Sequence, residues 1–82
     1  MSSVGDIREA LTAAIERTDE ARGHARLAHS RLEETARLYA GLAESTDGLP
    51  RGDVDRARRD LGEALGILGV ASETLSDLAA RL

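Results

Sequence analysis

Ser45-Thr46-Asp47-Gly48-Leu49-Pro50-Arg51-Gly52 decides how this chain folds, because two glycines and the single proline fall within five residues there. Such punctuation between two long helix-forming stretches reads as an interhelical loop. Gly48 suits the left-handed position that closes a helix, Leu49 can fold back on the last turn, and Pro50 prevents continuation. Asp53 then offers an N-cap oxygen to a helix starting at Val54, with Asp55 favouring the positive end of its dipole. At the other end, Ser3-Val4-Gly5-Asp6 resembles a capping box with Asp in place of the usual Glu. The expected architecture is all-α and a single domain over residues 1–82: a helix over about 4–46, a loop over 47–52 and a helix over about 53–81.

Periodicity agrees with that division. Alternating steps of three and four from Val4 pass through Ile7, Leu11, Ala14, Thr18, Ala21, Ala25, Ala28, Leu32, Thr35, Tyr39 and Leu42. None of these is charged, although charged residues make up 32% of the chain. The same steps after the loop collect Val54, Ala57, Leu61, Ala64, Leu68, Ala71, Leu75, Leu78 and Leu82. A 3.5-residue apolar repeat is the mark of a left-handed coiled coil or bundle. Large residues alternating with Ala along the second seam let helix axes approach closely.

A short loop makes neighbouring helices antiparallel. The arms are then unequal, ~63 Å against ~43 Å at 1.5 Å per residue. Folding back from the loop brings Leu82 near residue 17, so Val4, Ile7, Leu11 and Ile15 are expected to lack a partner within the chain. Between Leu61 and Ser72 the sole charge is Glu63, and Leu65, Ile67 and Val70 lie off the seam. A helix that is apolar nearly all round is normally a buried one. A lone hairpin cannot bury it, whereas a dimer forming a four-helix bundle can. The expected oligomer interface is therefore Val4, Ile7, Leu11, Ile15, Leu61, Leu65, Ile67 and Leu68, with a homo-oligomer, dimer favoured, as the expected state.

Composition excludes much else. At 82 residues the chain is near the size below which a lone core needs a staple. There is no Cys, Trp or Phe, and Tyr39 is the one aromatic residue, so disulfides, thiolate chemistry and base-stacking platforms are absent. The net charge of −4, with all 11 cations Arg, argues against duplex DNA as the main partner, and no nucleic acid is expected. No apolar run approaches the ~20 residues of a membrane span, so no membrane is expected as a partner. The N-terminus has no basic region followed by an apolar stretch, which makes the cytoplasm the expected compartment, with non-classical secretion left open.

Few residues invite chemistry. His24 and His29 are five apart, ~140° around a helix, whereas paired ligands on one face want a spacing of four. Glu20 with His24, and His29 with Glu33, have that spacing, but two ligands do not make a metal site. The histidines are read as flanking polar residues whose nearest functional role is pH sensitivity of an oligomer. Residues 22–31 carry three Arg and no acid, a patch read as a solvated face paired with Asp19, Glu20, Glu33 and Glu34. Arg56, Arg58 and Arg59 are matched by Asp53, Asp55 and Asp60 in the same way. Arg51-Gly52-Asp53 is the tripeptide integrins read, here occupied with helix capping. Gly62, Gly66 and Gly69 are read as a locally soft helix, with close approach of another helix over Gly62 and Gly66 as the alternative. No spacing holds a nucleophile against a base, so no enzyme, cofactor or metal is expected.

The whole chain resembles a family of short, uncharacterised actinobacterial helical hairpins. The shared features are a Met-Ser-Ser-Val-x-x-Ile opening (Met1 to Ile7), an Ala/Leu-rich first helix, a Gly-bearing central loop and a closing Ala-Arg-Leu (Ala80 to Leu82). In size and shape it is similar to the Trp-x-Gly hairpins of type VII secretion. It departs from them in having no Trp in Thr46-Asp47-Gly48-Leu49-Pro50, and Ala43 where an acid four residues after Tyr39 would complete an export signal. The leading expectation is a non-enzymatic interaction or scaffold protein that self-associates. The alternative, which the resemblance implies, is a hetero-partner of a secreted or toxin-associated protein.

Overall fold

The computed structural model describes residues 3–43 and 51–82. Two α-helices, α1 (Val4–Ala43) and α2 (Arg51–Arg81), pack along each other as a hairpin. The described residues contain no strand. The N-terminus of α1 follows directly from its first four residues. The Asp6 amide donates to Ser3 Oγ at 3.1 Å and the Ser3 amide donates to Asp6 Oδ2 at 3.2 Å, the reciprocal capping box read from the sequence. From there α1 runs unbroken through Gly23, because one glycine costs only ~1 kcal/mol in a helix otherwise rich in Ala and Leu.

Two expectations need correction. Arg51 and Gly52, read as loop, are helical, and Asp53 stands in the first turn of α2 instead of capping it. First-turn amides have no acceptor within a helix, so a helix can begin immediately beside a proline, three residues earlier than the Val54 start that the capping signal suggested. The expected helical residues 44–46 and the expected loop residues 47–50, including the Gly48 closure, lie outside the described residues.

The second correction is the register. Ser72 Oγ donates to Asp19 Oδ1 at 3.1 Å, and Arg58 donates to Glu33, which fixes the two helices as antiparallel and sets their relative level. The same alignment lets the Arg8 guanidinium donate to the carbonyl of Leu82. Leu82 therefore returns to the level of Arg8 and not to residue 17. Leu11 and Ile15, expected to hang free, lie within the span of α2 and are half-buried. Val4 and Ile7 remain beyond it, 55% and 41% exposed.

The result is a rod of 63 × 19 × 14 Å with a radius of gyration of 18.7 Å, against about 12 Å for a compact chain of this length. Its interior is one layer of side chains between two cylinders. No apolar side chain is buried among the described residues, and the most buried residue among them is Ser72, 8% exposed. Thr18 and Thr35, which stand in the apolar seam, turn their hydroxyls onto the carbonyls of Ala14 and Arg31 at 2.8 and 2.9 Å, so neither brings an unpaired group to the contact.

Candidate interaction surface

The contact stripe on each helix has a central row with a flanking row on either side. Leu11, Thr18, Ala25, Leu32 and Tyr39 form the central row of α1, and Val54, Leu61, Leu68 and Leu75 that of α2, all half-buried. One flank holds Ile15, Arg22 and His29 on α1 and Arg58, Leu65 and Ser72 on α2. The other holds Ala14, Ala21 and Ala28 on α1 and Ala57, Ala64 and Ala71 on α2. In an antiparallel pair, flanks of the same hand meet, so the hairpin has one polar edge and one alanine edge.

Two clasps close the polar edge. In the first, Asp19 accepts from Ser72 and lies 3.6 Å from the Arg22 guanidinium, which itself passes 4.0 Å from where a Gly69 side chain would begin. In the second, Arg58 grips Glu33 with two parallel hydrogen bonds, Nε to Oε1 at 2.9 Å and Nη2 to Oε2 at 2.8 Å, and holds Asp55 at 3.2 Å. Fork-to-carboxylate geometry of this kind gives direction as well as attraction. The Arg58 hydrogen bonds hold the Glu33 carboxyl below its ordinary range, and the same bonds raise Arg58. His29 Nε2 sits 3.7 Å from Glu33 Oε1 at the i,i+4 spacing noted in the sequence.

Part of the basic patch therefore resolves into local pairing, through Arg22 with Asp19 and His29 with Glu33. Arg22 meets Asp19 as expected and Arg58 meets Asp55, but the Arg58–Glu33 link between helices had no signal in either helix alone. Ser72 was also missed, because a lone Ser off the apolar repeat carries no pattern; its clue was that it faces an acid only once the register is known. The described residues bring no three His, Asp or Glu side chains together, and His24 is exposed. A groove of about 220 Å³ lies between Tyr39, Val54 and Arg58, smaller than the ~300 Å³ of a typical ligand pocket.

Of the eight residues expected at an oligomer interface, the hairpin half-buries Leu11, Ile15, Leu61, Leu65 and Leu68 against the opposite helix. Leu65 is thus part of the hairpin contact and not off it. Val4, Ile7 and Ile67 stay exposed, and Ile67 (69%) and Val70 (64%) line a broad, open apolar groove of about 640 Å³ with Gly66 and Glu63. On α1, Leu38 is 65% exposed and Leu27 50%. No helix among the described residues is long and apolar enough to cross a membrane. No protein family, no curated protein and no solved structure matches the chain.

Proposed function

We propose that this chain is a non-enzymatic helical interaction module that self-associates through its apolar helix faces, two hairpins making a four-helix bundle. One observation carries the reading: a chain rich in Leu and Ala leaves every one of its described apolar side chains at least partly in water. Full burial of a Leu or Ile is worth roughly 1.5–3 kcal/mol. A two-helix rod realises only part of that, and small domains have little stability to spare. Leu11, Leu61 and Leu68, half-covered in the hairpin, become the centre of a bundle once a second pair of helices lies over them, while Ile15 and Leu65 on the polar flank are covered from within the hairpin. Val4, Ile7 and Ile67 take the margin of that interface.

Folding linked to association makes stability depend on concentration. Circular dichroism melts taken over a hundredfold range of chain concentration are expected to show a midpoint that rises steadily with concentration. A helical chain with one midpoint at all concentrations would remove the proposal. A chain that stays unfolded at every concentration and gains helix only with a different protein would move the reading to a hetero-partner role, of the kind that the likeness to secretion-associated hairpins suggests.

A further inference from the structure

We infer that the second copy packs on the alanine edge of the hairpin, α1 of each chain against α2 of the other, about a two-fold axis parallel to the helices. This rests on the self-association reading and specifies which surface it uses.

The two edges are not equivalent. All the polar links between α1 and α2 among the described residues, from Arg8, Asp19, Glu33, Arg58 and Ser72, lie on one edge. They close it with charge, and covering it would strip water from the Arg58–Glu33 pair, whose two side chains are about a third exposed. The opposite edge is floored by small side chains, so helices of another chain can come close without displacing large ones. Its rim is apolar where it matters, with Leu38 on α1 and Ile67 on α2 among the most exposed aliphatics of the molecule.

Charge chooses the pairing. On this edge the rim of α1 carries Arg17, His24 and Arg31 at steps of seven, with no acid among them. The rim of α2 at the corresponding steps carries Asp53 and Asp60, then Ile67 and Thr74. Packing α1 on α1 would set the basic rims against each other. Packing α1 on α2 sets Arg31 level with Asp60, His24 level with Ile67 and Leu38 level with Asp53, since rotation about an axis parallel to the helices preserves level. Like charges across an interface select against the wrong arrangement more strongly than surface pairs favour the right one.

Area is sufficient. The chain exposes 6138 Å², against roughly 4,700 Å² for a compact protein of its mass. The excess is larger than the ~800 Å² per partner that a stable interface removes.

Because the chain has no cysteine, single-cysteine variants report proximity cleanly. H24C and I67C chains, unfolded together, refolded and oxidised, are expected to give a mixed disulfide dimer in high yield, while H24C alone does not cross-link. A T12C and S76C mixture, placed at the rim of the polar edge, is the negative control. Efficient cross-linking of H24C with itself, or of T12C with S76C in place of the first pair, would overturn this edge and pairing while leaving self-association intact. Absence of all cross-links in a chain that still behaves as a dimer would do the same. A monomeric chain at every concentration would remove both this inference and the reading beneath it.

Discussion

Glu33 shows how much of the hairpin's specificity one side chain carries. Its carboxylate is where the second helix is gripped, and the Arg58 hydrogen bonds hold its pKa below the ordinary value of 4.5. The unfolded chain then takes up the proton more readily than the folded one, so this contribution is fully present above pH 4.5 and is lost as pH falls through the lower folded value. Glu33→Gln is accordingly expected to lower the melting midpoint at pH 7, with the gap between the two proteins closing as the pH drops below about 4.5. A gap that stays constant down to pH 3 would mean that the grip is not ionic. Gly62 tests a different point. A side chain built there meets nothing within 4 Å, so within the hairpin the glycine is not needed for close approach. Gly62→Ala should stabilise by about 0.5–1 kcal/mol through helix propensity, read as a higher midpoint in a thermal melt. A loss instead would reveal another helix backbone lying over Gly62 and Gly66.

At the scale of the helices, the two stripes of apolar residues were legible in the sequence because their repeat is uninterrupted by charge. The Ser3–Asp6 capping box was legible because it is local. The register was not. Loop position suggests where a chain turns, but the level at which α2 meets α1 is chosen by contacts such as Asp19–Ser72 and Glu33–Arg58, whose members lie 53 and 25 residues apart. The same cause hid the breadth of the contact, since Arg22, His29, Arg58 and Ser72 on the polar flank interrupt an apolar count. The register has a direct consequence for mutants. Leu11 lies within the span of α2, so Leu11→Asp is expected to cost helicity and stability, since a charge is forced against the seam. Ile7→Asp, one turn nearer the N-terminus and beyond α2, should leave the circular dichroism signal nearly unchanged. Equal effects of the two would contradict the alignment of Leu82 with Arg8. Leu68→Ala, in the middle of the α2 row, should cost about 2–5 kcal/mol in a thermal melt, as for a buried leucine, because the second copy covers the side that the hairpin leaves open; a cost of only about 1 kcal/mol would contradict that cover.

The molecule as a whole is a thin rod with one chemically closed edge and one open edge. A polar edge fixes which helix faces pair and at what level, and an alanine edge rimmed by Leu38 and Ile67 stays uncovered within the hairpin. That division explains why so little of the role could be read from motifs: the informative feature is a surface left uncovered, and the residues that leave it uncovered are mostly Ala, which marks no chemistry. The most direct test is the mass of the chain in solution by light scattering at micromolar concentrations. A folded, helical species of twice 8.7 kDa is expected. A stable, fully helical species of 8.7 kDa at every concentration would contradict the claim that the hairpin needs a second copy.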